Sequence, residues 1–274
     1  MRCSRLVRWI QPFMALAAMP VAGFSQVAPT GWTVYPTPEE GSASLYCANW
    51  SRTTWRVSMS EAGALHIGSE SAPVLYWDYQ LPHGVRRQKR MIGRQSRLKI
   101  PSGWLLGFDG GEFGGGLWFA DSSGRTQNLS GQNVRGFVTT PQGVLVFVGM
   151  TFDSGRVLIV HDAGGSVVKA ENLVQLDGAP EAITPFSENS ALVVTTHGIT
   201  QVSSGGTTNR LLERSLGLPY PSSIVVTKDG AIYVGMRMFV VRLLPQSGLY
   251  TEQWLVRQGC NRFKPTQFDC VCKK

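Results

Sequence analysis

The chain is poor in the residues that usually carry chemistry. Its 274 residues include four histidines, His66, His83, His161 and His197, and only 16% are charged. It contains neither a G-x-S-x-G nucleophile elbow nor an H-E-x-x-H metal helix, so serine-hydrolase and zincin chemistry lack their signatures. Gly110-Gly111 and Gly114-Gly115-Gly116 are followed by no Lys-Ser/Thr and no helical pattern. They read as wide turns, not as a phosphate cradle. Sustained 3.6-residue periodicity is absent, and with it any amphipathic helix of ordinary length.

Long apolar runs are scarce too. The one at residues 9–22 follows Arg2, Arg5 and Arg8 and is broken by Pro12 and Pro20. It falls short of the roughly 20 residues that a membrane span needs. Gly23 and Ser25 stand where a signal peptidase expects small residues, so residues 1–25 read as a signal peptide with Gln26 as the mature start. Cys3 precedes the apolar core, which disfavours a lipoprotein. The expected location is the periplasm or the exterior, with no membrane span in the mature chain.

Four cysteines follow the leader: Cys47, Cys260, Cys270 and Cys272. An even number in an exported chain suggests disulfides. Joining Cys270 to Cys272 is the poorest pairing, because one intervening residue strains the bridge. The two remaining connectivities both tie Cys47 to the C-terminal tail, through Cys270 or through Cys272. A zinc site fits badly, since C-x-C with distant cysteines and no nearby histidine does not match zinc spacing. No metal site is expected.

What the chain does have is a repeat. A few apolar residues, a turn and an alternating apolar strand recur around Gly63, Gly103, Gly143, Ser190 and Gly230, in steps of 40, 40, 47 and 40 residues. Further strand candidates follow at Gly116–Ala120, Arg156–Val160, Gly198–Val202, Phe239–Leu244 and Tyr250–Val256. Turn-forming Gly, Ser, Asn and Asp bound them. A fixed period near 40 with strand–turn–strand content marks a blade architecture. The expected fold is therefore all-β, a β-propeller of five or six four-stranded blades over residues 51–257. Residues 26–50 form a loosely ordered lead-in with a strand candidate, Trp32–Tyr35, that could join the closing blade. Residues 258–274 form a basic, cysteine-bearing tail that would staple the ends of the ring.

The stretch Asp229-Gly-Ala-Ile-Tyr-Val-Gly-Met-Arg-Met-Phe-Val-Val-Arg-Leu243 resembles the repeat of bacterial extracytoplasmic β-propellers of the two-component-regulator sensor type. Glu61–Gly68 and Gly115–Ala120 echo parts of it. The resemblance spans about 200 residues and implies architecture rather than activity. Ser190 replaces the turn glycine, and most copies lack the strand tryptophan. No kinase or DNA-binding segment follows, so the expectation is a free-standing propeller, monomeric and not directed at nucleic acid.

The formal net charge of +8 is unevenly spread: residues 79–99 carry +7, through Arg86, Arg87, Lys89, Arg90, Arg94, Arg97 and Lys99. Such a loop could meet an anion or an acidic partner. In a propeller, the residue seven beyond each turn anchor returns to one face, which nominates Glu70, Gly110, Met150, His197 and Arg237. Loops entering the first strands add Trp50, Arg94 to Arg97, Arg135, Glu181 and Tyr220. The expected binding residues are Glu70, Arg86, Arg87, Arg90, Arg94, Arg135, Glu181, His197, Tyr220 and Arg237. The leading expectation is a non-catalytic module that recognises a protein or an anionic cell-envelope polymer, with no cofactor. The alternative is a metal-dependent propeller lyase or hydrolase, with His197 as the catalytic candidate and Glu70 and Glu181 beside it around a divalent ion. A third option is a partner-inhibiting or structural protein that acts through its whole upper surface.

Overall fold

The structure is a computed structural model and describes residues 27–70, 81–150, 154–162, 168–260, 262–266 and 269–273. The side chains of Glu70 and Lys273 are not among those described, and the signal peptide expected at residues 1–25 lies outside the described residues. In chain order the first elements are β1 (Trp32–Tyr35), α1 (Ala43–Trp50), β2 (Thr54–Met59) and β3 (Leu65–Glu70). Three four-stranded antiparallel meanders follow. They are β4 (Arg94–Ile100), β5 (Gly103–Asp109), β6 (Gly115–Asp121) and β7 (Thr126–Ser130); then β8 (Val134–Thr140), β9 (Gly143–Gly149), β10 (Gly155–Asp162) and β11 (Val168–Gln175); then β12 (Ala182–Ser187), β13 (Ser190–Thr195), β14 (Gly198–Ser203) and β15 (Thr208–Glu213). The fourth meander, β16 (Ser223–Val226), β17 (Ile232–Gly235), β18 (Val240–Gln246) and β19 (Leu249–Arg257), gains β1 as a fifth strand. A hairpin of β20 (Arg262–Pro265) and β21 (Cys270–Lys273) ends the chain.

The middle strands explain the stacking. Val144–Val148 and Ser190–Val194 are apolar on both faces, and such a strand is stable only between two sheets. Along β9, Val144, Val146 and Val148 meet Leu105, Leu117 and Phe119 of the preceding sheet. The alternate residues Leu145 and Phe147 meet Ala191, Val193 and Val202 of the next. On β13, Leu192 and Val194 turn the other way, onto Ile232, Val234 and Trp254. Tyr233, Val240 and Leu255 then face Val57 of β2, with Trp55 and Ile67 alongside. Each buried Val or Leu contributes about 1.5–3 kcal/mol, so each shared core stabilises the two sheets that it joins. The first strands β4, β8, β12, β16 and β2 lie next to one another in that order.

All five turn anchors fall between the first and second strands of their units: Gly63 and Gly230 inside the turns, and Gly103, Gly143 and Ser190 at the start of the second strand. The strand expected at Trp32–Tyr35 pairs with β19 in the register Trp32↔Arg257 to Tyr35↔Trp254. The unit opening at residue 51 departs from the four-stranded expectation, having two strands among the described residues. Here the segment 81–93 runs over the first four-stranded sheet instead. Met91, fully buried, packs with Leu81 and Val85 against Leu106, Phe108, Ala120 and Trp118. Gly124 (φ 82°) lets this segment lie close, because a Cβ there would stand 2.5 Å from the carbonyl oxygen of Gly84.

Residues 26–50 also hold the helix that periodicity did not announce. Ser42 caps α1 by accepting from the Leu45 N–H at 3.4 Å, and Leu45, Cys47 and Ala48 are buried. Cys47 pairs with Cys270, and Cys260 with Cys272, with Cα–Cα separations of 5.4 Å in both. Of the two connectivities left open by the sequence, the one through Cys270 is formed. No helix among the described residues is long and apolar enough to cross a membrane.

Candidate ligand-binding face

In an up-and-down meander, the loops joining second to third strands and those joining one sheet to the next emerge at the same end. Three arrangements occupy that end. The first is an ion-pair cluster. Arg135 Nη1 lies 3.3 Å from Asp109 Oδ2 and 3.8 Å from Glu181 Oε2, and its Nε donates to the Gly149 carbonyl at 3.1 Å. The three side chains are only 11%, 11% and 14% exposed, so Arg135 and Glu181 lie beneath the rim and join three successive sheets. Arg94 reaches the edge of this cluster, 4.0 Å from Asp109.

The second arrangement is a clamped tyrosine. Tyr220 holds a left-handed φ of 50°, uncommon without glycine. The Arg237 guanidinium sits over its ring, 4.1 Å from the centroid. Arg237 is fixed in turn: its Nη1 donates to the Asn49 carbonyl at 2.7 Å and its backbone N–H to the Pro219 carbonyl at 2.6 Å. The third surrounds His197, which is exposed. Its N–H donates to Thr195 Oγ1 at 3.1 Å, and Thr195 donates to Asp177 at 3.0 Å. Asp177 is also ion-paired with Arg210.

Two clefts open between these groups. One, of about 680 Å³, is lined by Lys89, Arg90, Glu112, Phe113, Asn133 and Met150 over a floor of glycines. The other, of about 520 Å³, is lined by Asp177, Thr196, His197, Ser215, Leu218 and Tyr220. Ser154 lines both, which makes them neighbouring parts of one groove. Asn133 shapes the first: its Oδ1 accepts from the Gly110 N–H at 3.3 Å and its Nδ2 donates to the Gly111 carbonyl at 2.8 Å. Phe113 is 76% exposed and Met150 and Leu218 36% each, so apolar side chains line the groove without being covered.

The basic cluster of the sequence is divided by the fold. Lys89 and Arg90 reach the first cleft, and Arg86 and Arg87 are exposed on the same segment. Arg97 and Lys99 instead flank Trp104, 5.8 and 5.1 Å from its ring centroid. His197 and Glu181 occupy different arrangements, one in the second cleft and one against Arg135, and the side chain of Glu70 is outside the description. Among the described residues, no group of three or more His, Cys, Asp or Glu side chains is placed to hold a metal ion. Sequence reasoning missed Phe113, Asn133, Asp177 and Ser154. Phe113 alone had a legible signal: one aromatic inside Gly-Gly-Glu-Phe-Gly-Gly-Gly has no neighbouring apolar residues with which to enter a core.

No family model and no curated protein matches the chain. Among solved structures, it is similar to a protein of unknown function from Bacteroides caccae, with 14% identity, TM-score 0.40 and coverage of 79% of this chain and 80% of that one. It is also similar to a streptogramin B lyase, with 14% identity, TM-score 0.38 and coverage of 74% and 68%. AztD from Citrobacter koseri follows at 13% identity, TM-score 0.28 and 58% of each chain. Likenesses this distant carry no activity to this chain.

Proposed function

We propose that the protein is an exported, non-catalytic β-propeller of five units that binds an anionic cell-envelope component or an acidic protein through its loop face. The groove running from Lys89 and Arg90 past Ser154 to Tyr220 carries this reading. It joins cations, uncovered apolar side chains and hydroxyls on one surface, as a recognition face requires. Four sheets stacked face to face, with the β2–β3 hairpin against the last and segment 81–93 against the first, support the five-unit ring. The paired cysteines and the leader support export.

The test uses mature protein from Gln26 and an immobilised polyanion, either polygalacturonate or a sulfated dextran, at low and high salt. Binding should weaken with salt, as screened charge contacts do. The double variant K89E/R90E should bind at least ten times more weakly and with a flatter salt dependence. Unchanged affinity in that variant overturns the loop-face reading. A melting temperature that falls in EDTA and recovers with one divalent metal overturns the non-catalytic part.

A further inference from the structure

We propose that the groove binds a linear, carboxylate-bearing glycan, with Phe113 and Tyr220 as stacking platforms for sugar rings and Lys89 and Arg90 as partners of the carboxylates. This rests on the loop-face reading above and narrows its ligand. Sugar rings have C–H faces that lie flat on aromatic rings, and hydroxyl edges that seek hydrogen bonds. A uronic acid adds a carboxylate to the same ring. The groove offers all three kinds of contact.

Tyr220 is a built platform. Arg237 covers one side of its ring at 4.1 Å, while the residue lines the second cleft. Its left-handed backbone (φ 50°) is a strain retained at a recognition site. A ring fixed before the ligand arrives loses little freedom on binding. Phe113 stands 76% exposed at the tip of a glycine turn, the least favourable place for an apolar side chain unless something covers it. Between the two platforms the floor is glycine backbone. A Cβ on Gly111 would meet nothing within 4 Å, which marks open space above the loop tip. An open, shallow track of this kind fits a chain passing through rather than an enclosed small molecule.

Charge selects the type of chain. In the first cleft Lys89 and Arg90 outnumber Glu112. In the second the carboxylate of Asp177 is matched by Arg210, leaving Thr196, His197 and Ser215 as polar partners for hydroxyl groups. A guanidinium binds a carboxylate with two parallel bonds, so Arg90 favours a planar carboxylate.

The experiment compares polygalacturonate oligomers with polyglutamate of equal charge, by calorimetry on the mature chain at low salt. Polyglutamate has the carboxylates without the rings. Polygalacturonate should bind more tightly, and F113A should lower its affinity by roughly five- to tenfold, the size of an aromatic stacking contribution. Because Phe113 is exposed, F113A should keep the wild-type melting temperature, so lost binding cannot be ascribed to unfolding. If polyglutamate binds equally well, or F113A binds polygalacturonate like wild type, the glycan proposal falls while the polyanion reading stands. If neither polymer nor sulfated dextran binds, both fall. Binding of sulfated dextran in preference to polygalacturonate also overturns the choice of carboxylate.

Discussion

The bridge from α1 to the tail should stabilise the protein more than its neighbour in the tail does. Cys47–Cys270 closes a separation of 223 residues, and Cys260–Cys272 closes 12. In the chain-entropy model of cross-linking, these loops correspond to about 5 and about 3 kcal/mol. The perturbation is a pair of double variants, C47A/C270A and C260A/C272A, unfolded in urea under oxidising conditions. Both should lose stability, the first by about 2 kcal/mol more. Cys47 and Cys270 are also the more buried pair, at 3% and 1% exposure, so lost packing adds to the same side. Reductant separates the two effects. With every bridge open, a remaining difference between the variants measures packing alone, and subtracting it leaves the closure contribution. If that contribution is equal for the two bridges, or larger for the short one, the long bridge does not act by closing the chain on itself.

Three more predictions follow from single groups. Arg135→Ala leaves Asp109 and Glu181 without their shared cation and should cost about 3 kcal/mol in urea unfolding; a loss under 1 kcal/mol would mean that the cluster is solvated. Arg242, 2% exposed, donates to the Val27 carbonyl at 2.9 Å and to Gln253. Arg242→Leu should cost about 3 kcal/mol and speed hydrogen exchange at residues 27–31; protection there unchanged from wild type would refute the tether. The Ser123 hydroxyl, followed by Arg125, draws the carboxyl of Asp121 down from 3.8 to about 2. A carboxylate depressed in the folded state adds stability that is complete above pH 3.8 and lost as pH falls through about 2. In an NMR titration the Ser123→Ala midpoint should move back toward 3.8, and an unmoved midpoint would assign the shift elsewhere.

Strands buried on both faces were the legible part of the sequence. Val144–Val148 and Ser190–Val194 are apolar runs between turn residues, and nothing but a strand inside stacked sheets suits them. The outer strands were hard to read: β7, β11 and β15 mix exposed and half-buried residues without regular alternation, and a register shift interrupts the pairing of each. α1 was hidden because its eight residues bury Leu45, Cys47 and Ala48 through a disulfide and the tail rather than through a repeating apolar stripe. Period counting placed Met150, His197 and Arg237 at the loop end, since a meander returns there at fixed intervals. It could not show that Arg135 would be committed to Asp109 and Glu181, or that Asn133 would pin the glycine turn. Those are contacts between units, which no repeat spacing encodes.

Hydrogen exchange with and without polygalacturonate is the measurement that tests the central claim most directly. The groove predicts slowed exchange at the loop end, in segments 110–115, 131–133 and 215–220, with little change at 100–103, 203–207 and 227–230 of the opposite end. Protection confined to the opposite end, or to the exposed edge of β1, would place recognition elsewhere and contradict the account.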